Sequence, residues 1–328
     1  MLKVGLLGAA RIAPGAMVVP AQAVARVEVI GVAARDPQRA KEFAAEHGLS
    51  TFWESYEALI ASEDINAVYI GLPPSAHHEW TLKALAAGKH VLCEKPFCVS
   101  TEQAIEMVDA GERSGLVLGE AFHWRYHPLA RRVKDLLDSG VVGEVSHVDA
   151  EFSVTISDTS DIRYSLALGG GALMDLGCYA VQWARFAGVG EPTVVSAECV
   201  EAQGCPGIDV STTIQLAYPN GATGEVRCSM KHKGFIAMLT VTGDMGTLEV
   251  RNPLAPSMGN AIVITTTSGE SSSEEVEQGK STYHHQLEAF AAAVLDGAPF
   301  VTSGEDSIAT MRIIEDSYAA AGFPPRKA

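Results

Sequence analysis

The chain has 328 residues, of which 47% are hydrophobic, and it carries a formal net charge of −16. This length suits two domains, and the acidic balance disfavours nucleic acids and anionic membrane surfaces, which bind basic patches. No apolar run approaches the ~18 residues that span a bilayer, and the first residues lack the basic stretch and cleavage site of a signal peptide. We therefore expect a cytoplasmic protein that binds neither nucleic acid nor membrane.

The six cysteines include no Cys-x-x-Cys pair, so zinc-binding and thioredoxin-like interpretations are weak. Most of them lie in apolar stretches, and we expect free, buried thiols. No group of His, Cys, Asp and Glu residues has the spacing of metal ligands, so we predict no metal.

The chain alternates apolar strands with helices up to Glu120. The apolar run at 4–7 is typical of a parallel strand buried on both faces, and Asp36 is a suitable N-cap for the helix that closes at Gly48. This alternation predicts a doubly wound α/β domain. Strands are predicted at 4–7, 27–34, 67–70, 91–93 and 116–118, and helices at 36–47, 55–62, 77–87 and 101–114.

The pattern changes after Glu120, and from Gly143 onward the sequence favours strands. The turn at 218–221 suits a hairpin, and we expect the polar segment 271–275 to be a solvated loop. We predict domains at 1–122 and 123–328, the second an α+β domain with an open, mostly antiparallel sheet, and C-terminal helices that pack back toward the first. Its strands are predicted at 145–156, 193–201, 212–216, 224–229, 237–242, 246–250 and 261–266, and helices at 128–139, 171–186, 283–295 and 305–321.

The turn after the first strand, at 8–13, departs from the dinucleotide motif Gly-x-Gly-x-x-Gly at Ala10 and Ala13. The last position accepts alanine because its task is close helix–strand packing. Ala10 replaces the glycine that lets the backbone approach the pyrophosphate. The motif alone is weak, but its strand–turn–helix setting predicts a dinucleotide site; the alternative is a doubly wound domain that binds nothing there.

The choice between NADP and NAD depends on the end of the second strand. An NAD site usually places an acid there to hold the ribose hydroxyls, but this position is Ala34, followed by Arg35. Arg35 and Arg39 are suited to grip a 2′-phosphate, so we predict NADP, with NAD as the alternative. Asp36 would serve as the ribose-binding acid if the strand ended two residues later, and Arg39 would then be a solvated helix residue.

Glu94 and Lys95 follow the predicted strand at 91–93, at the edge of the sheet where ligands bind. Pro96 restricts the backbone of Lys95. On its own this tripeptide is better explained as an ordinary strand end, and it becomes informative because the N-terminal sequence predicts a dinucleotide fold.

Four segments together carry a family resemblance: the glycine turn, Leu72-Pro73-Pro74-Ser75-Ala76-His77, Glu94-Lys95-Pro96, and the glycine-rich run at 169–179 that ends in Tyr179. In this order and spacing the chain resembles the glucose–fructose oxidoreductase/inositol dehydrogenase (Gfo/Idh/MocA) family over essentially its whole length. The segments at 120–128 and 161–164 resemble the branch of dimeric dihydrodiol dehydrogenases and NADP-dependent aldose dehydrogenases. The resemblance implies a Rossmann domain, followed by an open sheet that forms a homodimer or homotetramer.

The resemblance also implies a proton-transfer pair, Lys95 and Tyr179, with Asp175 beside them. A phenol with a pKa near 10 is a poor base at neutral pH, and a lysine ammonium would stabilise its phenolate. Asp175 and Tyr179 lie four residues apart and share a face if the segment is α-helical. Many family members have histidine in place of Tyr179, and those members typically act on inositols or related polyols. The tyrosine in this chain therefore disfavours a cyclitol substrate. From the sequence alone, a helix tyrosine packed under the sheet is the favoured interpretation of Tyr179, and the resemblance reverses this preference.

The predicted site follows from these segments and from the cluster at 123–127, in which Trp124 would be an apolar platform and Arg125 a donor. The alternatives are an interdomain packing cluster and, for His77, a solvated helix start. The catalytic candidates are Lys95, Asp175 and Tyr179. The cofactor-binding candidates are Gly8, Ala10, Arg11, Ile12, Ala34, Arg35, Arg39, Leu72, Pro73, His77, Glu94 and Lys95. The substrate-binding candidates are Lys95, His123, Trp124, Arg125, Arg163, Asp175 and Tyr179.

We predict an NADP-dependent oxidoreductase that acts on a secondary alcohol or hemiacetal of an aldose, such as D-xylose or D-glucose, or on a vicinal diol. The alternatives are a cofactor-retaining aldose–aldose oxidoreductase and a non-catalytic dinucleotide sensor. A sensor has no need of a proton-transfer pair, so the presence of both Lys95 and Tyr179 argues against it.

Overall fold

The computed structural model describes residues 1–326. The chain divides into two compact units. The first unit comprises Met1–Arg125 and Tyr283–Ile308, and the second comprises Tyr126–Thr282 and the chain from Ala309 on. None of the helices in this described part of the chain is long and apolar enough to cross a membrane.

The first unit is built on a six-stranded sheet in which every neighbouring pair is parallel. The strand order is β3-β2-β1-β4-β5-β6. The sequence accounts for this arrangement, since continuous apolar strands require cover on both faces, and all four residues of the strand at 67–70 are fully buried. The strands are β1 (Leu2–Leu7), β2 (Val27–Ala33), β3 (Thr51–Trp53), β4 (Ala67–Ile70), β5 (His90–Cys93) and β6 (Leu118–Glu120).

Three helices of the N-terminal segment begin at side-chain caps, of which Asp36 was predicted. Asp36, Ser55 and Ser100 each accept a backbone amide hydrogen bond at a helix start. After β1, a π-helical turn (Pro14–Val18) runs into the short helix α1 (Val19–Ala21). The other helices are α2 (Pro37–His47), α3 (Tyr56–Ala61), α4 (Pro74–Ala86) and α5 (Thr101–Ser114).

The second unit contains an eight-stranded sheet with the order β14-β13-β12-β11-β7-β10-β9-β8. Only the pairing of β7 with β10 is parallel, so the predicted open, mostly antiparallel sheet is confirmed. The strands are β7 (Val145–Thr155), β8 (Thr193–Ala202), β9 (Cys205–Ala217), β10 (Thr223–Ser229), β11 (Lys231–Gly243), β12 (Gly246–Arg251), β13 (Ala261–Thr266) and β14 (Ser271–Glu274).

Helix α6 (Pro128–Asp138) precedes this sheet, and α7 (Cys178–Phe186) packs on β7, β10 and β11. Helix α8 (Thr282–Asp296) lies almost wholly in the first unit, and α9 (Glu305–Ala320) runs mainly through the second. In the first unit, Thr302 pairs with the edge strand β6, because Glu120 N donates to Thr302 O and Thr302 Oγ1 donates to Glu120 O.

Several predicted elements need correction. The segment predicted as a polar loop at 271–275 is strand β14, which pairs with β13 at a sheet edge where serines stay solvated. Helix α4 begins at Pro74 and not at His77, because proline suits the first turn of a helix. The three-residue strand β3 was not predicted, and β6 lies two residues later than expected.

Candidate functional site

Four turns follow the carboxyl ends of the parallel strands in the first unit. Gly8 follows β1, Ala34 follows β2, Gly71 follows β4 and Glu94 follows β5. Ligands of open α/β sheets bind at this edge, where the strand order reverses. Here the reversal lies between β1 and β4, so the structure brings the predicted cofactor-binding turns to one edge.

The turn after β1 has the geometry of a dinucleotide cradle. Gly8 has a φ of 105°, and a Cβ atom there would lie 3.0 Å from the Gly71 carbonyl oxygen. A side chain at this position would therefore be strained and crowded. The Ala10 methyl group lies against Gly71, so the alanine at the departing motif position packs toward β4. Arg11 and Ile12 are exposed, which leaves the outer surface of the turn open.

The end of β2 favours Arg35, and not Asp36, as the charged residue beside the ribose of a bound dinucleotide. The strand ends at Ala33, and Ala34 is buried while Arg35 is exposed. Asp36 Oδ1 accepts a hydrogen bond from Gln38 N at 3.0 Å, which caps α2. Because this carboxylate is engaged at the helix start, Arg35 is the charged group that follows Ala34.

Two further side chains lie near Arg35. Arg39 Nη2 donates to Ala9 O at 2.9 Å, so it also tethers the turn after β1. Burial raises the pKa of Tyr56, while the backbone of Arg35 and the charges of Arg35 and Arg39 oppose this rise. Tyr56 is a polar group that the sequence analysis missed, since no local motif marks it.

His77 connects the turns after β4 and β5. Its side chain is fully buried, with Nδ1 2.9 Å from Pro96 O and Nε2 2.8 Å from Leu72 O. Burial lowers the pKa of His77 to about 4, so the neutral ring donates to one of the two carbonyl groups. Pro73, next to Leu72, is half-buried. The structure therefore gives His77 contact with the turns that carry cofactor-binding candidates, and its direct role at a cofactor stays a prediction.

The backbone at Lys95 is fixed by its neighbour Glu94. Tyr69 Oη donates to Glu94 Oε1 at 2.6 Å, and Lys95 N donates to Glu94 Oε2 at 3.2 Å. Burial and, to a smaller extent, the Lys95 charge lower the pKa of His123 to about 3. The His123 ring centre is 4.0 Å from that of Tyr283, so these two rings are in contact. Lys95 and both rings belong to the first unit.

Trp124 and Arg125 follow His123 in a short 3₁₀ turn. Trp124 is buried, and the Arg125 guanidinium carbon lies 5.5 Å from the centre of the Trp124 ring. Their predicted contact with substrate stays a prediction.

In the second unit, Arg163 is held between two carboxylates. Arg163 Nε donates to Asp175 Oδ2 at 2.5 Å, and Nη1 donates to Asp161 Oδ1 at 3.0 Å. Burial alone would lower the pKa of Arg163, but the carboxylates of Asp175 and Asp161 outweigh this effect and raise the pKa above its ordinary value. Asp175 is therefore bound in an ion pair, which makes it an anchor for Arg163 and a poor candidate for a general base.

Tyr179 lies on α7 in an aromatic cluster. Its ring meets Phe152 edge-on at 5.7 Å between centres and lies 6.2 Å from Trp183. The preceding residues Leu173–Gly177 form a π-helical turn, so the continuous helix predicted at 171–186 is wrong in its first part. Such turns recur at functional sites, and this one contains Asp175.

In the second unit, Arg163 and Asp175 form an ion pair and Tyr179 supplies a phenol, groups that can donate hydrogen bonds and exchange a proton. Among residues 1–326, no group of three or more His, Cys, Asp and Glu side chains could hold a metal ion. Tyr56, Asp161 and Tyr283 were missed as site candidates. Only Asp161 had a signal, its place in the segment 161–164 that carried the resemblance.

Two family models match the chain. Residues 2–122 match the GFO/IDH/MocA model described as an oxidoreductase family with an NAD-binding Rossmann fold. Residues 130–249 match the GFO/IDH/MocA C-terminal domain.

Two relatives and one solved structure illustrate the similarity. The chain is 36% identical to D-xylose 1-dehydrogenase (NADP(+)) 2 from Haloferax volcanii over 318 residues, 97% of this chain and 96% of the relative. It is 37% identical to trans-1,2-dihydrobenzene-1,2-diol dehydrogenase from Oryctolagus cuniculus over 243 residues, 73% of this chain and 72% of the relative. The structure matches a 3-ketoreductase from Actinomadura kijaniata in complex with NADP and TDP-benzene, with a TM-score of 0.89, 30% identity and 97% of each chain covered.

Proposed function

Because this chain belongs to the Gfo/Idh/MocA family of oxidoreductases, we propose that it transfers a hydride between NADP and a sugar or vicinal diol. The reacting carbon carries a secondary hydroxyl group or is the hemiacetal carbon of an aldose. The family resemblance inferred from the sequence is confirmed. The observation that carries the proposal is the placement of Lys95 directly after β5, at the same sheet edge as the Gly8 turn.

Bound NADP supplies the hydride acceptor, and the residues of the chain bind the dinucleotide and move the proton. The Gly8 turn would hold the pyrophosphate, and Arg35 would pair with the 2′-phosphate. Lys95 Nζ donates a hydrogen bond to the substrate oxygen, and Tyr179 in its phenolate form accepts the hydroxyl proton at Oη during oxidation. Arg163, fixed by Asp175, donates to another substrate hydroxyl.

A substrate screen tests this proposal. The purified protein is incubated with aldoses and vicinal diols, each with NADP and with NAD, and reduced-cofactor absorbance is followed. We expect turnover with at least one aldose or diol and a preference for NADP. If the protein purifies with bound dinucleotide and converts aldose pairs without added cofactor, it is an aldose–aldose oxidoreductase. Binding of NADP without turnover on any member of the panel would identify a sensor.

The face of the eight-stranded sheet opposite α7 supports a further proposal, that the protein is a homodimer or homotetramer. On β7, buried Phe152 faces the side covered by α7, whereas Glu151 points to the opposite face beside Arg227. Arg227 Nη2 also lies 2.8 Å from Asp149 Oδ1. Half-buried ion pairs on this face are consistent with cover by a second copy.

We therefore expect light scattering at micromolar concentration to give at least twice the 34.6 kDa chain mass. Replacing Arg227 with glutamate places the new carboxylate beside those of Asp149, Glu151 and Glu225, and this repulsion should shift the protein toward monomer. The exposed ion pair Lys83–Glu79 in the first unit gives a control, Lys83→Glu. A monomeric wild-type protein at this concentration would contradict the proposal.

A further inference from the structure

A buried carboxylate in β9 is fully hydrogen-bonded beside the glycine-rich segment. Asp209 has no exposed surface. Its Oδ1 accepts from Tyr318 Oη and Arg326 Nη2, both at 2.7 Å. Its Oδ2 accepts from Leu173 N at 2.8 Å and Thr212 Oγ1 at 2.9 Å. Four donors thus satisfy one buried charge, which also has a buried cationic partner.

Arg326 extends this network to the glycine-rich backbone. Its side chain is 1% exposed, and Nε donates to Gly170 O at 2.9 Å. Its guanidinium lies 3.9 Å from the centre of the Tyr318 ring. One planar guanidinium therefore joins Asp209, Gly170 and Tyr318 in a fixed geometry.

The residue between the attached positions must be glycine. Gly171 has a φ of 128°, and a Cβ atom there would lie 2.7 Å from Arg326 Nη2 and 2.8 Å from Tyr318 Oη. Polar atoms of the network therefore fill the space that a side chain at position 171 would need. Glycine at this position is what allows the buried charged groups to pack against the backbone.

The attached segment leads directly to the residues of the site. Leu173, whose backbone amide donates to Asp209, begins the π-helical turn that contains Asp175. This turn continues into α7, which carries Tyr179. Gly171 N also donates to Arg163 O at 2.9 Å. A shift of this backbone would move Arg163, Asp175 and Tyr179 together.

We propose that Asp209, Tyr318 and Arg326 form a positioning cluster, which fixes the start of the Tyr179 helix for proton transfer; this rests on the proposed function. The three side chains act through the backbone at 170–173. A purely stabilising role is the competing interpretation, since breaking a buried ion pair destabilises any fold. The two interpretations differ in what they predict for turnover of fully folded protein.

Tyr318→Phe is the sharpest variant, because it removes one hydroxyl and keeps the ring against Arg326. A matched control is Tyr218→Phe, since Tyr218 Oη donates to Ala184 O at 3.0 Å near the other end of the same helix. Both variants lose one buried hydrogen bond to the helix or its anchor, so both should lower Tm. Turnover is measured well below the Tm of either variant, together with the Kd for NADP.

We expect Tyr318→Phe to lower kcat about tenfold, as small misplacements of reacting groups do, and to leave the Kd for NADP within about twofold of wild type. With substrate deuterated at the reacting carbon, the isotope effect on kcat should increase, because the chemical step is slowed. Tyr218→Phe should keep wild-type kcat and isotope effect. Arg326→Lys keeps the charge but not the planar fork, and should also lower kcat.

Tyr179→Phe in the same assay separates the two proposals. If Tyr179→Phe loses turnover while Tyr318→Phe and Arg326→Lys keep it, the positioning role is wrong and the proposed function stands. If Tyr179→Phe keeps wild-type turnover, the assignment of Tyr179 fails, and the positioning role fails with it. Equal kcat losses in Tyr318→Phe and Tyr218→Phe would show a stabilising role alone.

Discussion

Substitution of either proposed proton-transfer residue should lower kcat by about 10²-fold or more, while the Kd for NADP changes much less. Lys95→Ala removes the ammonium that hydrogen-bonds the substrate oxygen. Tyr179→Phe removes the hydroxyl that exchanges the proton and keeps the ring against Phe152. Steady-state kinetics on a substrate found in the screen, with NADP binding measured by fluorescence titration, gives both quantities.

Matched variants show whether such losses are specific. Lys83→Ala removes an exposed lysine of α4 that pairs with Glu79, and Tyr164→Phe removes a hydroxyl that donates to Ile156 O at 2.6 Å in the second unit. Both should retain turnover close to wild type. Near-normal kcat in both Lys95→Ala and Tyr179→Phe would show that other groups transfer the proton.

The second large effect concerns the cofactor. Replacing Ala34 with aspartate and Arg35 with alanine should shift preference from NADP toward NAD by roughly tenfold to a hundredfold. The lost charge-assisted hydrogen bond contributes on the order of 1.5–3 kcal/mol, and the new carboxylate attracts the ribose hydroxyls and repels the phosphate. The ratio of the two dissociation constants, in wild type and in the double variant, is the measurement.

Arg39 and Asp36 provide the controls for this experiment. Arg39→Ala should weaken the binding of both cofactors, because Arg39 tethers the Ala9 carbonyl of the glycine turn. Asp36→Ala should lower stability by about 1 kcal/mol through loss of the α2 cap, with an unchanged cofactor ratio. A wild type that prefers NAD, or a ratio that moves with Asp36→Ala alone, would make Asp36 the ribose-binding acid.

The sequence predicted the structure best at positions where the local chemistry allows one explanation for the residue type. The Asp36 cap, the apolar run of β4 and the turn after Ala217 were predicted because local chemistry determines them. Strand β14 was missed because its polar composition suits a loop equally well, and only pairing with β13 makes it a strand.

The residues of the candidate site were likewise predicted only where a local motif marks them. Lys95 and Gly8 were identified because they follow strands in recognisable motifs. Asp209 and Arg326 were missed because they lie 117 positions apart in the sequence, and neither has a local pattern. The interaction of Asp175 with Arg163 was also not predicted, since each residue had been considered only for direct contact with substrate.

The pairing of Thr302 with β6 has a consequence during synthesis of the protein. Glu120 and Thr302 are 182 residues apart, and a ribosome adds about 5–20 residues per second. The outer edge of β6 therefore leaves the ribosome roughly 10–40 s before the segment that satisfies it. An unpaired strand edge is a template for association with other chains. We therefore expect this edge to be open to association with other chains while the second-unit sheet is being translated.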